Sequence, residues 1–353
     1  MPLNSSANDW AALDRALSDR AVLGSVEVLR FFVPQGTSQH LRERRLALAA
    51  SLRAEIYEMR EPNAATEKID PADGGNLESW LVPREQIESV LRAASATITR
   101  IRAVLRANAE FIQCRVPAAA NEVALACHGM QFARWMRPAV FFGLGNSTER
   151  LTTANQRALA RLLDQLDLHR SLLATDTHRA LHRGAADGWL ESIVLEDPAK
   201  LDALGDIRHF YSQVPALAGG DRGVLDLPGI TSQCRLVVIE SKASEDLQLP
   251  VQRVDYRLRA CRHRREGDFQ GDGYCAGVPI DPQPPLVWLV SPGLRFRSAR
   301  DALLKYLSPE IRVTRIGLAE NWHRGLKIIF RHRMFYRTGN LSLGKKRRGS
   351  GLG

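Results

Sequence analysis

Two carboxylates and an amine stand within a short stretch of this chain, in Leu225-Asp226-Leu227 and then Arg235-Leu-Val-Val-Ile-Glu240-Ser-Lys242. The two apolar runs read as short strands joined by a polar turn, Thr231-Ser232-Gln233-Cys234. Side chains two apart on a strand share a face, so Glu240 and Lys242 are expected to project together, and Asp226 can reach the same place from the neighbouring strand. Hard oxygen donors in that arrangement suit a divalent cation, and an amine beside them suits an activated water. By itself, Glu-x-Lys at a strand end is most often a solvated ion pair. The elements around it decide its meaning.

Ahead of the hairpin, Ala185-Ala-Asp-Gly-Trp-Leu-Glu191-Ser-Ile-Val-Leu has helical periodicity and carries a third acid, Glu191. Behind it, Pro250 opens a helix that runs to about Glu266. Gln252 and Tyr256 stand four apart on that helix, on one face. The rest of this half reads as a short extended segment at Phe210–Pro215, a buried strand over Pro285–Val290, a helix over Ser298–Leu307, a strand over Ile311–Ile316 and a last strand over Leu326–Phe330. Strands alternating with helices predict an α/β fold.

The first half is less regular. A helix near Trp10, a strand over Ser25–Val33 and a helix over 38–60 are expected, with a strand over Leu52–Met59 as the alternative. Residues 61–78 carry loop chemistry, and Pro83 starts a long amphipathic helix that runs to about Ala107. Glu122–Trp135 and Ala139–Gly145 read as paired strands around Arg137-Pro138, followed by a helix over Thr152–Leu168 and a connector to Arg183. The chain thus divides into an accessory mixed α/β region (1–183), an α/β domain (184–335) and a basic flexible tail (336–353) containing Lys345-Lys-Arg-Arg348.

Composition sets outer bounds. With 353 residues, 44% hydrophobic and 25% charged, the chain can bury a full core. It has no apolar run long enough to cross a bilayer, and its first residues lack a signal-peptide pattern, so a cytoplasmic location and no membrane partner are the default expectation. Five cysteines without Cys-x-x-Cys spacing argue against a disulfide framework or structural zinc. A net charge of +10, concentrated after residue 250, favours a polyanion partner. His128, His209 and His263 read as structural, and Trp189, Trp288 and Trp322 as packing. Arg312 and Arg315 read as guards of a strand edge, and Gly143-Leu-Gly145 lacks a phosphate-loop context.

The order helix with Glu191, strand with Asp226, strand ending in Glu240-Ser-Lys242, then helix, resembles the PD-(D/E)xK nuclease superfamily; fourteen positions separate Asp226 from Glu240. Gln252-Arg-Val-Asp-Tyr256 matches the Gln-x-x-x-Tyr motif of its RecB-like branch. Residues from about 186 to 330 also resemble the C-terminal nuclease domain of EndoMS/NucS-type endonucleases, most closely in Asp221-Arg-Gly-Val-Leu-Asp-Leu and Arg-Leu-Val-Val-Ile-Glu-x-Lys. Ser241 departs from the apolar residue many members carry between the acid and the lysine.

This resemblance implies a restriction-endonuclease-like mixed sheet flanked by helices and a metal-dependent DNA endonuclease, with RNA as the other candidate substrate. Mg²⁺ or Mn²⁺ would be held by Glu191, Asp226 and Glu240, with the Ser241 carbonyl as a further ligand. Asp226, Glu240, Lys242, Gln252 and Tyr256 would form the catalytic set, with Lys242 at the water. Arg253, Arg257 and Arg264 would continue the helix into a phosphate-binding surface. Related nucleases often pair to cut two strands, so a homodimer fits. The alternative is a non-cleaving nucleic-acid- or partner-binding protein that keeps the fold.

Overall fold

The computed structural model describes residues 28–60, 66–70, 79–104, 112–117, 121–170, 180–201, 207–218, 221–225, 227–243, 249–296 and 306–334. The expected helices near Trp10 and over 298–307, and the tail, lie wholly or largely outside them.

The described chain opens with β1 (Val28–Pro34), α1 (Gln39–Arg45) and β2 (Arg53–Met59), the two strands pairing in parallel with Val28 opposite Arg53. Residues 38–60 therefore split into a short helix and a strand. The strand prevails over Leu52–Met59 because Ala54 joins Leu29 in a core shared with Val287, Leu289, Leu307 and Val313. β3 (Thr66–Lys68) adds antiparallel to β2, inside the stretch expected to be loop; Thr-Glu-Lys carries no strand signal, and its partner supplies the ladder. β4 (Ser79–Leu81) then leads into α2 (Arg84–Val104), which begins just after Pro83 as expected.

A five-stranded antiparallel meander follows: β5 (Ile112–Arg115), β6 (Glu122–Cys127), β7 (Met130–Met136), β8 (Ala139–Leu144) and β9 (Ser147–Arg150). The single strand expected over 122–135 is two. It reverses at His128-Gly129, both with positive φ (44° and 74°), the conformation that a tight two-residue hairpin demands. Histidine at the first of those positions hides the turn from sequence. α3 (Gln156–Arg170) and α2 cover this meander, burying Leu159, Leu163 and Leu166 with Ala94, Ile98 and Ile101.

Two helices, α4 (Ala180–Arg183) and α5 (Ala186–Glu196), precede the second group of strands. Those are β10 (Ile207–Arg208), β11 (Val214–Ala218), β12 (Asp221–Leu225), β13 (Leu227–Thr231) and β14 (Leu236–Ser241). After α6 (Leu249–Glu266) and α7 (Asp268–Gly271) come β15 (Leu286–Pro292), β16 (Val313–Leu318) and β17 (Ile328–Met334). The main sheet has the order β10-β13-β14-β15-β16-β17. β14, β15 and β16 run parallel, while β13 and β17 flank them antiparallel. The chain is thus mixed α/β. β16 has neighbours on both sides, so Arg312 and Arg315 do not guard an edge; Arg315 is buried, its guanidinium 5.3 Å from the centre of the Phe296 ring.

β14 lies deep in the sheet, and both its faces are covered. Val237 and Ile239 pack with Trp189, Leu190, Ile193 and Val194 of α5, while Leu236 and Val238 pack with Ala260 of α6 and with Phe269 and Tyr274. Double-sided burial is why this strand reads as an uninterrupted apolar run. Each such aliphatic side chain contributes about 1.5–3 kcal/mol. The first half of the chain is built into this assembly: β4 pairs with β11, Trp80 opposite Leu217, in a sheet of order β12-β11-β4. All five cysteines are unbridged. No helix among the described residues is long and apolar enough to cross a membrane.

At the start of α5, Gly188 meets the hairpin turn between β6 and β7. A Cβ on Gly188 would lie 2.6 Å from the Gly129 carbonyl oxygen, and one on Gly129 would lie 2.0 Å from the Gly188 carbonyl carbon. Backbone faces backbone there, so neither side can yield cheaply. Gly188→Ala is expected to cost about 2–3 kcal/mol, read as a lowered denaturation midpoint, while Gly271→Ala, with nothing within 4 Å of its added Cβ, leaves the midpoint unchanged.

Candidate active site at the end of the central strand

Glu240 and Lys242 bracket the C-terminal end of β14. Glu240 is buried on the strand, opposite Leu289 of β15. Lys242 lies one residue past the strand end, where its backbone N–H donates to the Val290 carbonyl at 2.9 Å. Its Nζ lies 2.9 Å from Oδ2 of Asp187, in the first turn of α5. The other oxygen of Asp187 accepts the backbone N–H of Ala243, also at 2.9 Å. One carboxylate therefore fixes both the amine and the chain that carries it. An acid in the first turn of a helix is also electrostatically favoured.

One turn along α5, Glu191 points into the same region. Its Oε1 accepts the Ser212 hydroxyl at 3.2 Å and lies 3.3 Å from Nη2 of Arg115, and its Oε2 accepts the Gln213 amide at 3.3 Å. Arg115 comes from β5, in the first half of the chain. Gln213 holds a left-handed backbone (φ 50°), which aims its side chain from the loop before β11. Burial pushes the Glu191 carboxyl above the ordinary carboxylate range. The nearby charge of Glu240 adds to that push, whereas Arg115, Ser212 and Gln213 pull it back down. Two buried carboxylates that feel one another favour a shared proton or a cation, and their hard oxygens fit Mg²⁺ or Mn²⁺.

The position of α5 is itself pinned by a buried cation. Arg170, at the end of α3, is fully buried with its guanidinium 4.6 Å from the centre of the Trp189 ring. It donates to the carbonyls of His128, Leu181, Gly184 and Ala185. Burial lowers its pKa to about 10, so it stays charged at neutral pH.

Of the residues singled out from sequence, Glu191 and Glu240 come within electrostatic reach of one another, and Lys242 joins them through Asp187 on the helix that carries Glu191. Asp226 lies outside the described residues; β12 ends at Leu225, and β13 begins at Leu227, which pairs with Ile239. Gln252 and Arg253 belong to the first turns of α6, and their side chains lie outside the described set. Tyr256 is half-buried against the core on the α6 side. Arg257 is buried, and its Nη2 donates to the Glu310 carbonyl at 3.2 Å, so it ties α6 to that loop and offers little surface to a phosphate. Arg264 is half-buried.

A second acidic group deserves separation from this site. His263, Glu266 and Asp268 are spaced closely enough to hold a cation. Both His263 nitrogens are engaged, however, Nδ1 with Asp268 at 2.6 Å and Nε2 with Ser79 at 2.8 Å, and the ring is fully buried. His263 is a structural tie between α6 and β4, as its sequence context suggested.

Four residues were missed. Asp187 could have been found, since it stands four before Glu191 and shares its helix face. Arg115, Ser212 and Gln213 carry no local signal, because their role depends on how distant segments fold together. No protein-family model and no curated protein sequence matches the chain.

The Arg115–Glu191 pair generates a stability test. Arg115→Met is expected to cost on the order of 3 kcal/mol at neutral pH, the scale for leaving one partner of a buried ion pair uncompensated. The Arg115→Met/Glu191→Gln double variant should recover part of that loss in urea unfolding, because the neutral amide no longer needs a countercharge.

Proposed function

We propose that the chain is a metal-dependent DNA endonuclease whose catalytic unit, about residues 184–335, is a restriction-endonuclease-like α/β domain of the PD-(D/E)xK type. One observation carries this reading: Glu240 near the end of a central strand lies within electrostatic reach of Glu191 of the preceding helix, and Lys242, just past that strand, is paired to Asp187 on the same helix. Supporting it, β14 and β15 run parallel with α6 between them in the chain, and the carboxyl ends of parallel strands are where α/β sheets bind ligands.

In this reading Glu191 and Glu240, joined by Asp226 and the Ser241 carbonyl, would hold Mg²⁺ or Mn²⁺. The bound cation would supply charge neutralisation on the scissile phosphate and a water of lowered pKa. Lys242 directs its ammonium at the phosphate oxygens and the attacking water, stabilising the charge that builds up as the P–O bond breaks. Asp187 is a positioning residue: it holds Lys242 in one direction through an ion pair and fixes the following backbone. Arg115, Ser212 and Gln213 orient Glu191. Burial of both acids keeps bulk water from screening these charges.

A second reading, a nucleic-acid-binding protein that does not cut, has its own support. Both oxygens of Glu191 are already occupied by Arg115, Ser212 and Gln213, which leaves a cation competing for that ligand. A cleavage screen over single-stranded, duplex, branched and mismatched DNA and over RNA, with Mg²⁺ and with Mn²⁺, separates the two. Nuclease activity is expected, and Glu240→Ala and Lys242→Ala should each lower it by at least about a hundredfold with binding retained. Undiminished cleavage in those variants would overturn the assignment; binding without cleavage under every condition would favour the second reading.

A further inference from the structure

The main sheet carries a second concave surface, remote from Glu240. It is a groove of about 970 Å³ near the start of β14, open along β15, β16 and the outer strand β17. Arg235, Arg312, Arg331, His332 and Arg333 line it, and none of its lining residues is an acid. Arg235 begins the run into β14 and stands five positions before Glu240, about 16 Å of strand. The groove lies on the α5 side of the sheet, where Trp288 and Ile316 form its apolar floor.

The arginines fall into two kinds. Arg235 and Arg331 are fixed by backbone acceptors: Arg235 donates to the Pro284 carbonyl and to the Gln283 side chain, and Arg331 to the carbonyls of Lys200 and Leu201. Arg312 and Arg333 are exposed, and neither has a hydrogen bond or salt bridge among the described residues. Arg331 and Arg333 stand two apart on β17 and so face the groove together. Like charges are crowded here: burial, the Arg312 charge and the Arg257 charge all lower the pKa of Arg235, with Asp281 opposing. Assembling cations without matching carboxylates costs free energy that an anionic ligand offsets.

The geometry points to this groove as a binding surface for the phosphodiester backbone of a nucleic-acid strand. A concave sheet surface suits a linear polyanion better than a planar lipid surface. Thr231, Ser232 and Gln233 at one end add hydroxyl and amide groups able to bond phosphate or sugar oxygens. The inference goes beyond the nuclease assignment and does not rest on it, because the groove is built from other residues and needs no metal.

The test is direct binding of fluorescent single-stranded and duplex DNA to the full chain in EDTA, where metal-dependent cleavage cannot occur. Arg312→Glu/Arg333→Glu is expected to weaken binding at least about tenfold and to reduce the steepness of its salt dependence by about 1–2, the value for two lost phosphate contacts. Arg312→Gln/Arg333→Gln should give a smaller loss in the same direction. Arg161→Glu, at an exposed site on α3, makes the same net-charge change as the glutamine pair and should stay within about twofold, which controls that pair for net charge. Unchanged affinity and salt dependence in the double variants would overturn the inference, as would an equal loss from Arg161→Glu. Capture of anionic vesicles by the groove, lost in the double variants while DNA binding is kept, would also overturn it.

Discussion

The buried guanidinium of Arg170 is the constraint on which the rest of the arrangement depends. It is stacked on Trp189 and gathers four carbonyls from three places: the hairpin turn at His128, the end of α4, and the residues just before α5. Carbonyls at the end of one short helix and the start of the next would otherwise lack partners. Gathering them on one cation sets where α5 begins. The backbone-to-backbone contact of Gly129 with Gly188 sets how closely it approaches. Those two contacts fix the register of Asp187 and Glu191 against the end of β14.

Once α5 is fixed, the electrostatics at the strand end follow. Glu240 cannot leave, because β14 is covered on both faces by apolar side chains. Lys242 lies just past the ladder, where the sheet no longer dictates its direction, and Asp187 takes over that task. Burying Glu191 near Glu240 is costly, and the cost is met by three donors from two different segments. Burial raises the proton affinity of Glu191 while Arg115, Ser212 and Gln213 oppose it, so the acid is held in one direction by groups that favour its charged form.

The sequence was legible where the signal is local and periodic. The run from Leu236 to Ile239 is apolar on both faces, and it lies in the central strand; Pro83 and Pro250 mark helix starts, and α2 and α6 begin next to them. It failed where pairing comes from elsewhere. Thr66–Lys68 is a strand only because β2 offers a ladder, and the turn at His128-Gly129 follows from two left-handed residues of which only one is glycine. The candidate site divides the same way. Glu191, Glu240 and Lys242 could be read from spacing, and Asp187 by one more step of helical periodicity. Arg115 could not, since seventy-six positions separate it from Glu191. Arg257 is expected from sequence on a phosphate-binding surface with Arg253 and Arg264, but a series of arginines along a helix does not distinguish its solvent face from its packed face, and this side chain is buried.

Arg115 also changes how the first half of the chain should be understood. An accessory domain that merely adds grip would leave the acids at the strand end intact on its removal. Here β4 hydrogen-bonds to β11, directly after the loop that carries Ser212 and Gln213, and β5 delivers the guanidinium beside Glu191. Leu29 and Ala54 fill the core behind β15. The N-terminal half therefore supplies one countercharge to the site, one strand to the sheet that holds the orienting loop, and part of the core beneath the central strands. Burial of Glu191 is tolerable only with that countercharge in place, so the geometry of the acids belongs to the whole described chain and not to the second half alone.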